Sequence, residues 1–256
     1  MVWKLLVGGV AVVMAVILVV GGEPGPRRDG DLCREDREFA GQFAVLLDPS
    51  DALSSTQRRS AVPRLQQLLQ SAPEDTEIRV YTVATAGRGQ LEPVFRICAP
   101  LNPDSIGSFD LTVTRSIAER EYREAFIAPL RRRLDVLLDV PADTVSPIVE
   151  AMQSTAVDAF QPRTSTMLRH LVIVSDMVQH SRDLSFFREP PDFGALSRHP
   201  DYRTRRVDLE RVQVTVLQVQ RRGRAGQVQI GPLRRFWEDF LIDQGAGHLT
   251  WIEIEG

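Results

Sequence analysis

The sequence predicts an α/β domain built on an open, mostly parallel, doubly wound sheet with one antiparallel edge strand, preceded by a single transmembrane helix. Three observations lead there. Short, wholly apolar runs of strand length recur along the body, as expected of strands buried on both faces. Segments of helical periodicity separate them. An uncharged apolar run stands in front of everything else.

Residues 5–22, LLVGGVAVVMAVILVVGG, carry no charge and make about 27 Å of helix, enough to cross the hydrocarbon core of a bilayer. The run is apolar on every face, which argues against a buried core helix. Lys4 before it and Arg27 and Arg28 after it leave the orientation open. Two readings of the leader stand: an uncleaved membrane anchor, or a signal peptide cut after Val20-Gly21-Gly22. Either divides the chain into residues 1–30, anchor or signal sequence with its linker, and residues 31–256, the folded domain.

Cys33 and Cys98 are the only cysteines, and an even count behind such a leader suggests a disulfide made in an oxidising compartment. Two buried free thiols are the alternative. Position favours the bridge, because Cys33 lies just before the first core strand and Cys98 ends an early one. A disulfide places the domain outside the cytoplasm, at the cell membrane of a bacterial envelope.

The elements follow in order. Residues 43–47 (FAVLL) read as a buried strand ending at Asp48. Ser54-Ser-Thr-Gln57 has capping-box spacing and opens a helix that carries Leu65, Leu68 and Leu69 and is interrupted by Pro63. Residues 77–84 and 91–98 read as strands joined by a turn at Gly87-Arg-Gly89, a hairpin at one edge of the sheet. Residues 116–138 form a charged helix with a kink at Pro129. A second helix starts at Ser146-Pro147 and places Ile148, Met152, Ala156 and Phe160 on one face. Residues 170–175 (HLVIVS) are a buried strand ending at Asp176, and residues 190–206 a loop. A strand over 212–219, a helix over 233–242 and a strand over 248–254 complete the domain.

Composition narrows the function. With 31 basic and 34 acidic residues the net charge is −3, which lacks the electrostatic footprint of a non-specific nucleic-acid binder. Lys4 is the only lysine. The basic runs at 131–133, 203–206 and 221–224 lie near acidic residues and read as solvated faces. Phe186-Phe187 and Phe236-Trp237 read as packing residues. His170, His180, His199 and His248 are scattered, and His180, four residues after Asp176, reads as a surface histidine, the alternative being that it lines the rim of a site there.

In an open α/β fold, ligands meet the carboxyl ends of the central strands. The residues there are Asp48-Pro-Ser50-Asp51 and Asp176, an oxygen-rich set of the kind that holds Mg²⁺ or Mn²⁺. An aspartate after a strand is also a common helix N-cap, so both readings stand for Asp48, Ser50 and Asp51.

FAVLLDPSDALS resembles the first strand and metal loop of a von Willebrand factor type A (vWA) domain, with Asp48 and Ser50 in the Asp-x-Ser-x-Ser pattern and Ala52 in its third position. SPIVEAM resembles the family's threonine-bearing loop, with Ser146 in the threonine's place, and HLVIVSDM the strand before its closing aspartate, Asp176. The resemblance implies a protein-interaction module, which the apolar leader would anchor to a membrane. In such a module Asp48, Ser50, Ser146 and Asp176, with Asp51 as a substitute, hold Mg²⁺ or Mn²⁺, and the ion receives an acidic side chain of a protein partner. A metal-free scaffold of the same fold is the alternative, because Ala52 removes one oxygen. A Mg²⁺-dependent phosphohydrolase of the haloacid-dehalogenase type needs a second aspartate where Ser50 stands and a later lysine, which the chain lacks. The expectation is no enzyme.

Overall fold

β1 (Gly41–Leu47) is buried along its whole length because it lies inside the sheet, with a helical layer on each side. It pairs in parallel with β2 (Thr76–Thr82) and with β4 (Leu168–Ser175). β5 (Val212–Val219) and β6 (His248–Ile254) extend the parallel array, and β3 (Phe95–Cys98) closes the other edge antiparallel to β2. The order is β3-β2-β1-β4-β5-β6, the open and mostly parallel sheet expected, with its one antiparallel pair at the edge. The computed structural model describes residues 26–48, 50, 52–86, 92–105, 115–139, 145–160 and 167–256. The apolar leader, the turn at 87–89 and Asp51 lie outside the described residues. Among the described residues no helix is long and apolar enough to cross a membrane.

Alternation along β1 sorts the core into two layers. Phe43, Val45 and Leu47 face α1 (Ser55–Gln70) and α4 (Ala128–Leu137), where Leu65, Leu69, Leu130 and Leu134 are buried. Ala44 and Leu46 face α5 (Ile148–Ala159) and α8 (Leu233–Asp243), around a buried Trp237 ringed by Phe186, Phe236 and Phe240. The packing role expected of Phe186, Phe236 and Trp237 is the one they have.

Proline explains two departures from the expected helices. α1 runs on through Pro63 instead of stopping there: Pro63 and Arg59, whose carbonyl loses its partner, are both exposed, so water can satisfy that oxygen. The long helix is three pieces, α3 (Arg115–Glu121), a π-helical stretch (Tyr122–Ile127) and α4. Just before Pro129 the ladder widens, and Ala128 N–H donates to the carbonyl of Arg123, five residues back.

The strand expected to reach residue 84 ends at Thr82 and turns into a short helix, α2 (Val83–Ala86). β3 is shorter than expected, starting only at Phe95. The loop expected over 190–206 contains α6 (Phe193–Arg198) and a 3₁₀ turn (Pro200–Arg205), each capped by a side chain, Asp192 and His199. α7 (Gly223–Ile230) was not expected at all.

The Cys33–Cys98 disulfide is present and ties the segment before β1 to β3. Around it Arg28 pairs with Asp75 (2.7 Å), Arg34 with Asp36 (2.6 Å) and Arg96 with Glu77 (2.7 Å). This edge lies at the start of β2, the end of the sheet opposite to Asp48 and Asp176.

Candidate functional site

β1 and β4 are parallel neighbours, so the residues that follow them emerge side by side at one end of the sheet. Asp48 extends the ladder by one bond, from its N–H to the carbonyl of Val174 (2.9 Å), and is 6% exposed. Its Oδ2 accepts from the hydroxyls of both Ser146 (2.6 Å) and Ser175 (2.7 Å), and its Oδ1 from the N–H of Ser50 (3.0 Å). Three of the predicted site residues, Asp48, Ser50 and Ser146, are thus drawn together on one carboxylate. Asp176, also buried, turns elsewhere: Oδ1 accepts from Val178 N–H (2.8 Å) and Oδ2 lies 3.7 Å from Nε of Arg221.

Each loop is pinned in turn. Ser146 exchanges two backbone bonds with His180 (2.9 and 2.8 Å), which splices the start of α5 to the chain leaving β4. Pro147, the N-cap of α5, has no side-chain cap, and Gln179 supplies one by accepting from Val149 N–H (3.0 Å). Met177 has φ +64°, a left-handed conformation that costs a residue with a side chain on the order of 1 kcal/mol. It is held there because its N–H donates to Ser175 Oγ (2.8 Å) and its carbonyl accepts from Trp237 Nε1 (2.8 Å).

The helix-cap reading of Asp48, Ser50 and Asp51 gives way to Ser54, whose side chain accepts from Gln57 N–H (3.1 Å) while Gln57 Oε1 accepts from Ser54 N–H (3.0 Å). Both bonds of the expected capping box are made. His180 is half-buried instead of lying on the surface, with Nδ1 2.9 Å from Ser185 Oγ and its ring edge-on to Phe187.

Three residues at the site escaped the sequence reading. Ser175 shows in the sequence only as the end of an apolar strand, and the hydroxyl closing that buried run is its one signal. Arg221 was grouped with a solvated basic run, yet its side chain is only 9% exposed. Gln229 lies on the helix that was not expected; its Nε2 donates to the carbonyls of Asp176 (2.9 Å) and Val219 (2.8 Å), and its Oε1 accepts from Arg221 N–H (2.7 Å).

The donor set can be tested against the divalent ion that the resemblance implies. Asp48, Ser50, Ser146 and Asp176 are hard oxygen ligands in chemistry. In place, Asp48 Oδ2 already accepts two hydroxyls and Oδ1 an amide, and Asp176 Oδ2 faces a guanidinium. Arg221 Nη1 also donates to the carbonyl of Ala52 (3.0 Å), at the position where the vWA pattern has its third oxygen. A dication set among these groups meets a fixed positive charge. Among the described residues no three His, Cys, Asp or Glu side chains gather in a metal-holding group. The residues as arranged do not fit the ion, and no step below runs through it.

No family model and no curated protein matches this chain. Solved structures do. The conserved hypothetical protein BatB from Bacteroides thetaiotaomicron is similar over 84% of this chain and 91% of its own, with 14% identity and a TM-score of 0.39. The SpRpn10 VWA domain is similar over 84% and 89%, with 10% identity and a TM-score of 0.38. The manganese-loaded TRAP protein of Plasmodium vivax is similar over 84% and 69%, with 12% identity and a TM-score of 0.36. At such identities and scores none of them says what this chain binds.

Proposed function

We propose that this chain is a vWA-like protein-interaction module without catalytic activity, held at a bacterial cell membrane by residues 5–22 with its domain outside the cytoplasm. Its partner, a protein, meets the head of the sheet at the loops that carry Asp48, Ser50, Ser146 and Asp176. One observation carries this reading: the loop after β1, the start of α5 and the end of β4 are locked onto a single buried carboxylate, Asp48, at the end of an open sheet where ligands of this architecture meet the protein. A preorganised rim of this kind lowers the ordering cost of docking. The disulfide agrees with an oxidising compartment.

Of the two forms weighed from the sequence, the pairing of Arg221 with Asp176 supports the metal-free one. The test is retention of envelope proteins by the immobilised full chain in detergent, compared with Asp176→Asn and with Arg34→Ala at the opposite end. A protein retained by the wild type and by Arg34→Ala but lost from a folded Asp176→Asn is the expected result. Identical retention by all three sinks the assignment of the surface. Calorimetric titration with Mg²⁺ reads metal dependence separately: a one-to-one event abolished by Asp48→Ala and by Asp176→Ala restores the ion to the site.

A further inference from the structure

Two buried carboxylates at the heads of adjacent strands need compensating charge, since an ionised group taken out of water without a partner is costly. For Asp48 hydroxyls and an amide supply the contacts. At Asp176 a cation does so. The Arg221 side chain is 9% exposed, and its Nε lies 3.7 Å from Asp176 Oδ2 while its Nη1 donates to the Ala52 carbonyl at 3.0 Å. The guanidinium therefore bridges the loop after β1 and the loop after β4.

The backbone that delivers it is fixed as tightly. Arg221 N–H donates to Gln229 Oε1 (2.7 Å), and the same glutamine ties the Asp176 and Val219 carbonyls together. Position 226 must be glycine for α7 to pass over this point, because a Cβ there would come within 2.4 Å of the Arg221 carbonyl oxygen.

We propose that Arg221 is the resident cation of the sheet head: it takes, by covalent attachment, the place that a divalent ion would otherwise fill, and closes the site to Mg²⁺ and Mn²⁺ while it is there. The claim concerns the charge balance of the site and stands whether or not a partner docks on it. Removing the guanidinium takes a fixed positive charge away from Asp176 Oδ2 and a donor away from the Ala52 carbonyl, hard oxygens of the kind that attract a dication. A lysine at 221 keeps the charge and should keep the site closed.

The experiment is Mn²⁺ binding to the full chain in detergent, followed by loss of the free-ion paramagnetic resonance signal, for wild type, Arg221→Met, Arg221→Lys and the double variant Arg221→Met/Asp176→Asn. Arg221→Met is expected to take up one Mn²⁺ per chain at least about tenfold more tightly than wild type, a gain of about 1.4 kcal/mol. Arg221→Lys should stay silent and the double variant should lose the gain. A folded Arg221→Met that binds no better than wild type overturns the proposal. So does a wild-type chain that binds one Mn²⁺ tightly and loses it with Asp176→Asn, a result that decides the matter even where Arg221→Met does not fold.

Discussion

At the head of the sheet Asp48, Ser146 and Ser175 form a closed cluster, none more than 6% exposed, in which every bond is made inside the protein. Toward the opposite end Arg28, Arg34 and Arg96, with Arg79 midway along β2, meet their carboxylates with side chains 20 to 28% exposed, and each has more than one acidic neighbour. The first arrangement is coupled: withdrawing one member strands buried donors that water cannot reach. The second is redundant: Glu77, as buried as Asp48, is shared by Arg79 and Arg96, and Asp75 by Arg28 and Arg34, so the loss of one arginine leaves each carboxylate another. The single covalent bond at its centre, Cys33–Cys98, is expected to hold the second region more than any one of its ion pairs.

That contrast can be broken at either end. The largest effect is expected from Cys33→Ser/Cys98→Ser: closing a loop with a sequence separation of 65 is worth about 4 kcal/mol in the chain-entropy account, to be read as a lower urea midpoint. A loss below about 1 kcal/mol would show that the ion pairs hold this edge by themselves. Next comes Asp48→Ala, which leaves two buried hydroxyls and the Ser50 amide without their acceptor and should cost about 3 kcal/mol. Asp48→Asn, which can still accept, should recover part of it.

The smallest effect is one of pH. His170, near the start of β4, has its pKa lowered to about 4, first by burial and then by His248, and its Nε2 lies 2.8 Å from Thr215 Oγ1. The native state refuses a proton that the unfolded chain accepts, so His170 contributes stability above the ordinary histidine pKa. That contribution is lost progressively as pH falls from about 6.5 to about 4, on the order of 2 kcal/mol in all. Denaturant midpoints measured across this window should slope for the wild type and lie nearly flat for His170→Gln. Equal slopes would place the titration elsewhere.

The parts of the molecule that sequence made legible are those in which local pattern and tertiary role agree. FAVLL and HLVIVS are buried strands because nothing polar interrupts them, and Ser54 with Gln57 caps α1 because the capping box is a local device. Asp48 and Ser50 were legible through the rule that polar residues at strand ends are the informative ones, Ser146 only through the resemblance of its loop. Arg221 and α7 were illegible for a physical reason. GRAGQVQI has two glycines and a weak apolar face, so its helix leans on the bond from Gln229 to the Asp176 carbonyl, 53 residues away, a contact that no short window contains. Arg221 itself looks like its exposed neighbours Arg222 and Arg224, and only the fold separates it from them.

The Cys33–Cys98 bridge also sets the path of mechanical load. A pull arriving from the N-terminal side of Cys33 reaches the sheet at two points at once, through the sulfurs into edge strand β3 and through residues 34–40 into central strand β1. The segment before β1 therefore cannot be peeled from the edge one contact at a time. With the proposed membrane tether at that end and a partner gripping the opposite end, tension runs along the strands. Their backbone ladders are then loaded in shear, many bonds together, and forced unfolding of the domain is governed by its unfolding rate.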